Sequence, residues 1–196
     1  MIKLKDILFE GKPPSIFIPR RIEDRLERMI MLYVRNGSKG DLKLIGLDLT
    51  KLPDILKDIT VGGNFNCSYN NLTSLENCPK TVGGNFGCGF NNLTSLEGSP
   101  SSVGGNFDCN DNHLTSLEGA PSSVGEDFSC NDNHLTSLTG APKTVGRNFD
   151  CSYNYLISLA GAPKIVDKDF HCRNNTLQFT KDQVRAVCDV KGKIFV

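Results

Sequence analysis

Residues 61–79 read VGGNFNCSYNNLTSLENCP, and the phrase begins again at Val82, Val103, Val124, Val145 and Val166, each 21 residues after the last. Repetition at one fixed period, with every register kept, makes each copy one structural unit and the whole a stack. Phe65, Phe86, Phe107, Phe128, Phe149 and Phe170 each stand two places before Cys67, Cys88, Cys109, Cys130, Cys151 and Cys172. That spacing puts both columns on one face of a short strand, and the face is apolar enough to be the core. Three places after each cysteine comes an asparagine, from Asn70 to Asn175, and two places later a leucine, from Leu72 to Leu177. A polar residue recurring inside an apolar stack is explained if its amide bonds loop backbone groups that the sheet leaves unpaired.

These residues resemble the leucine-rich repeat, L-x-x-L-x-L-x-x-N-x-L, with Phe and Cys where that family has leucines. The following Leu93, Leu96 and Pro100 are similar to the short bacterial subtype, and the likeness runs over residues 41–177. It implies an α/β-type repeat solenoid: a curved parallel sheet, one short strand per repeat, and helical caps at both ends. So short a repeat leaves no room for a long helix on the return path, and Pro79, Pro100, Pro121, Pro142 and Pro163 suit an extended convex side. Gly62-Gly63 and its counterparts would supply the tight bend into each strand.

At 196 residues the chain is read as one domain, its core built by neighbour contacts between repeats. The formal net charge is zero, but residues 61–177 hold 6 Lys+Arg against 11 Asp+Glu, which argues against a nucleic-acid-binding stripe there. Of the eight cysteines, six form one repeat column. Free thiols in the core are the favoured reading; a disulfide, or a metal held without any C-x-x-C pair, is the lesser one. Cys78 and Cys188 lie outside the column. With no secretory signal and no apolar run near ~18 residues, a cytoplasmic protein with no membrane partner is expected.

In chain order, residues 1–19 form a leader and linker, the latter carrying Pro13, Pro14 and Pro19. Residues 20–40 form a capping helix whose apolar face is Ile22, Leu26, Met29, Ile30, Tyr33 and Val34; its arginines alternate with acids, as on a solvated face. Asn36-Gly37 and Gly40 end it. The solenoid occupies residues 41–179 and opens with a degenerate copy, in which Leu42 and Leu44 take the Phe and Cys places, Leu47 the asparagine's, and Leu49 and Leu52 the rest. Phe65 follows Leu42 by 23 residues. Residues 180–196 make the C-terminal cap: Thr180 and Gln183 form a capping box, Val184, Val187 and Cys188 an apolar side, and residues 193–196 a short final strand.

Function would sit on the concave face, at the positions of the phrase that vary. Between Phe and Cys stand Asp108 and Asp150; two after Cys come Tyr69, Phe90, Asp111, Asp132 and Tyr153; after the asparagine come His113, His134 and Tyr155. Together they make an acidic centre flanked by aromatics, the usual makeup of a protein-binding hot spot. The competing reading is drift of solvated loop positions. His113 and His134 beside aspartates also admit a metal site or an acid/base pair, and the N-D-N runs calcium, but no nucleophile, phosphate loop or cofactor motif accompanies them. Some bacterial effectors with similar repeats append a ubiquitin-ligase domain, and the 19 residues after Leu177 are too few to hold one. The expectation is a monomeric, non-enzymatic module without cofactor, binding a protein through its concave face. The alternatives are a structural or packaged head protein and a small metal-binding solenoid.

Residues 1–10 resemble the capsid-targeting peptides of tailed bacteriophages related to the T-even group, which are amphipathic and cut after Leu or Ile, any residue, then Glu. Leu8, Phe9 and Glu10 fit that pattern, ahead of Gly11. The resemblance implies cleavage after Glu10, carriage in the virion and delivery into the host cytoplasm.

Overall fold

The computed structural model describes residues 22–196; the leader and its Glu10 cleavage point lie outside the described residues. From residue 42 onward the chain winds through stacked turns, and each full turn lays down two short parallel strands, where one was expected. Leu42–Lys43, Phe65–Asn66 and their successors through Ile194–Phe195 form an eight-stranded parallel sheet, with Phe65 opposite Phe86 and Phe86 opposite Phe107. Thr60–Val61 and its successors through Asp189–Val190 form a second, seven-stranded sheet, with Val61 opposite Val82 and Val82 opposite Val103. The architecture is a parallel β-solenoid with two sheets. The signal for the second sheet is the residue before each restart valine, which is Thr, Ser or Ile165. An outward residue followed by a buried valine is a strand two residues long.

Between the two strands the first glycine of each pair serves close approach more than bending. A Cβ on Gly104 would collide with the carbonyl oxygen of Gly83, one turn back. Between the leucine pair and the proline each repeat makes a tight turn, the Ser99 N–H donating to the Leu96 carbonyl with Gly98 at φ 86°, so the side expected to be extended is bent once per repeat.

All six phenylalanines and all six column cysteines are buried, with Leu72, Leu75 and their equivalents, in one continuous core. Neighbouring phenylalanine rings lie 4.9 Å apart at the closest pair and 6.0 Å at the widest. Each such side chain contributes about 1.5–3 kcal/mol by leaving water.

The asparagine column behaves as its position demands. Asn91 Nδ2 donates to the carbonyls of Cys67, Cys88 and Gly89 at 3.1–3.2 Å, and its Oδ1 accepts the Leu72 N–H at 3.0 Å. One buried amide thus ties its own turn to the one before.

A second ladder has no counterpart in the sequence reading. Asn64, Asn85, Asn106, Asp127, Asn148 and Asp169, each just before a phenylalanine, accept through Oδ1 the backbone N–H of the matching residue one turn on. It begins at Asp41, whose carboxylate accepts the Asn64 N–H at 3.0 Å and is held below the ordinary range by that bond.

At the N-terminal end the helix Ile22–Arg35 seats Leu26 and Ile30 in the core and leaves Met29 exposed. It stops where Gly37 donates to Val34 and Ser38 to Tyr33, the paired bonds of a Schellman turn, with Gly37 at φ 79°. In the first turn Leu42, Leu44 and Leu52 are buried, but Leu47 is exposed and does not replace the asparagine. Its backbone N–H is instead taken by Asn70 Oδ1 at 2.9 Å. The extra residues of this turn fall in the 3-10 turn Asp54–Asp58, which buries Leu56. At the other end the helix Lys181–Val187 starts on the Thr180–Gln183 capping box and buries Val184. Val187 is exposed, however, and so is Leu177, because the chain leaves the repeat path for this helix. Strands Asp189–Val190 and Ile194–Phe195 then close the two sheets. The α/β label therefore gives way to a β-solenoid flanked by two helices among the described residues.

Candidate functional site

The ten candidate residues fall into three columns, and one of them is governed by the backbone. Two places after each cysteine the chain turns a corner in the left-handed region: φ is 57° at Tyr69, 54° at Phe90, 50° at Asp111, 54° at Asp132 and 55° at Tyr153. Gly46, at φ 63°, and Asn174, at 54°, hold the same conformation at the ends of the column. The corner swings the next residue, the ladder asparagine, into the core. Asp and Asn adopt such a φ readily, whereas for bulky side chains it is an outlier costing about 1–2 kcal/mol. Yet Tyr69 is 58% exposed, Phe90 40% and Tyr153 56%, so burial does not compensate the strain. Tyr69 and Phe90 stack face to face, with centroids 4.3 Å apart and planes 7° off parallel.

The second column lies on the outer side of the phenylalanine strands. Asp108 Oδ1 accepts the Asn110 N–H at 3.2 Å, Asp150 Oδ1 that of Ser152 at 2.9 Å, and Asn66 Oδ1 that of Ser68 at 2.9 Å. These side chains steady the start of the corner as well as facing outward. Beside Gly87, where the column lacks a side chain, a shallow groove of about 280 Å³ runs between Lys43, Asn66 and Asp108. Burial, and after it the Asp111 charge, pushes the Asp108 carboxyl up; burial and then Asp132 do the same to Asp111. Asp108 and Asp111 thus feel one another's charge across two columns, and Asp111 that of Asp132 along its own.

The third column follows the buried asparagines. His113 stacks on His134 with centroids 5.2 Å apart, and His134 leans on Tyr155 at 5.6 Å. Tyr153 and Tyr155, read as a pair, flank the buried Asn154 and belong to different columns. The imidazoles meet ring to ring, an arrangement suited to contact more than to acid/base relay. Among the described residues no group of three His, Cys, Asp or Glu is disposed to hold a metal ion.

The eight cysteines are free and buried. Cys67 donates to the Gly87 carbonyl and Cys109 to that of Ser129. Burial lifts every thiol, Cys67 to about 12 and Cys172 and Cys188 to about 11, so none is poised as a nucleophile. No helix among the described residues is long and apolar enough to cross a membrane.

What fold and site define is a repeat solenoid presenting an ordered array of exposed aromatic and acidic side chains. No family model matches the chain, and no curated protein matches it.

Proposed function

We propose that this chain is a non-enzymatic, monomeric binding module of leucine-rich repeat type, which holds a protein partner on the outer surface formed by the corner column and its neighbours. The 21-residue period, the asparagine column and the L-x-x-L pairs support the repeat assignment. One observation carries the binding reading: Tyr69, Phe90 and Tyr153 are exposed aromatics kept at a left-handed φ that disfavours them. Drift at solvated positions would fill such a corner with Asn, Asp or Gly, so aromatics there point to selection for contact.

Replacing Tyr69 and Phe90 together by Asn tests this. Asn relieves the backbone, so the double variant should be at least as stable as the parent while losing partner capture from lysate of the native host. Undiminished capture would move the site elsewhere, first to the exposed side of the N-terminal helix.

The Leu8-Phe9-Glu10 tripeptide ahead of Gly11 supports a phage origin, with the protein carried in the virion and acting in the host cytoplasm. Mass spectrometry of virion-derived protein decides it. A chain beginning at Gly11 is expected, and an intact peptide spanning Glu10 would refute the cleavage.

A further inference from the structure

The corner column also specifies the chemistry of what it binds. Its backbone repeats the same φ in every turn, so its side chains leave the solenoid in parallel, one strand spacing of about 4.8 Å apart, in the order Tyr69, Phe90, Asp111, Asp132, Tyr153. Tyr69 covers one face of the Phe90 ring. The other face looks along the column toward Asp111, whose short side chain leaves it open.

Beyond Phe90 stand two carboxylates in matching poses. Asn110 Nδ2 holds Asp111 Oδ2 at 2.7 Å and Asn131 Nδ2 holds Asp132 Oδ2 at 2.7 Å, which leaves the Oδ1 atoms free. Among the described residues the ion pairs involve Asp41, Asp127, Asp182 and Asp189, and none reaches Asp108, Asp111 or Asp132. The acids thus sit side by side, uncompensated and already oriented. The fold makes the complementary contact once for itself: the Arg173 guanidinium lies 4.9 Å over the Phe195 ring.

We propose that the stretch from Phe90 to Tyr153 is a receptor for an arginine side chain of the partner, the guanidinium stacking on the open face of Phe90 and pairing with the Asp111 carboxylate, with Asp132 one turn further on adding its charge. This rests on the module reading above and names its ligand chemistry. A planar cation stacked on the ring keeps its N–H groups in its own plane, level with Asp111, and lies in the field of Asp132 beyond, so cation–π contact, forked hydrogen bonds and charge act together. Lysine offers a point charge without the planar match. A bare metal ion would use the carboxylates and ignore the rings.

The experiment titrates the intact protein, observed by NMR, with three capped peptides of the same Gly-rich sequence bearing two arginines, two lysines or two citrullines. The arginine peptide should shift the Phe90, Asp111, Asp132 and Tyr153 signals, and bind at least several-fold more tightly than the lysine peptide. The citrulline peptide should not bind. Asp111→Asn with Asp132→Asn, a change the left-handed corner accepts, should weaken the arginine peptide about tenfold or more, and Phe90→Asn should erase the preference over lysine. Citrulline binding as tight as arginine, no effect of the double Asn variant, or calcium alone producing the same shifts would each overturn the proposal. The two readings fail separately. If capture of the natural partner survives Asp111→Asn/Asp132→Asn but is lost with Tyr69→Asn/Phe90→Asn, the module stands and the arginine receptor falls.

Discussion

At the scale of single residues, the outer columns carry constraints that exposure alone does not reveal, and Asp108 is the clearest case. It does a structural task that Asn66 performs without charge, accepting the N–H two residues on. Its carboxyl is also half-buried and beside Asp111, and its affinity for a proton is raised in the folded state. Above the raised folded value, the folded state therefore bears the full cost of a desolvated carboxylate. As pH falls through that value the folded chain takes up a proton before the unfolded chain does, and below the unfolded value, near ~4, the cost has gone. Asp108→Asn keeps the acceptor and removes the charge. It should raise the urea midpoint at pH 7, and the gain should fade as the solution is acidified to about pH 3.5. A gain that persists in acid, or none at pH 7, would show that the charge is not what Asp108 costs the fold.

At the scale of the element, each turn is held by amides as much as by apolar contact, and two adjacent asparagines separate these roles. Asn91 is buried with four hydrogen bonds to its own turn and the preceding one, whereas Asn92 points into solvent. Asn91→Ala strands the Leu72 N–H and weakens three carbonyls, at about 1–3 kcal/mol for a buried group left unpaired. Asn92→Ala should stay within about 0.5 kcal/mol. Chemical denaturation of the two variants measures the contrast, and equal costs would dissolve the ladder as a source of stability. This element was legible beforehand because identity at a fixed interval exposes any column whose residue cannot change: the phenylalanines, cysteines and ladder asparagines all declared themselves. The second sheet stayed hidden because two residues, one outward and one inward, are too few to establish a period. The left-handed corner was hidden for the opposite reason. Tyr and Phe share no chemistry with Asp and Asn, and the φ common to all four follows from the asparagine beside them. The candidate surface could therefore be chosen from its variation, but not the strain that gives its aromatics meaning.

At the scale of the molecule, every turn touches only its neighbours, so length should be tolerated in one part of the turn and nowhere else. The natural ends show where. Leu42 pairs with Phe65 across 23 residues, and the surplus is absorbed between Leu52 and Val61, in the segment that forms the 3-10 turn. Phe170 pairs with Ile194 across 24, with a helix in the corresponding stretch. From phenylalanine to ladder asparagine, by contrast, the spacing never varies, since Phe, Cys and Asn must all face inward around one corner. Two glycines inserted after Ser99 should therefore leave a folded solenoid with an unchanged circular dichroism spectrum and a modest loss of stability. The same two glycines after Cys109 should carry Asn112 away from the Cys88 carbonyl and the Leu93 N–H that it bonds. That variant should unfold at far lower denaturant and expose its thiols to labelling reagents that the parent's buried cysteines resist. Equal tolerance at both places would mean that the stack is held by its sheets alone, with the asparagine corner a consequence of the winding.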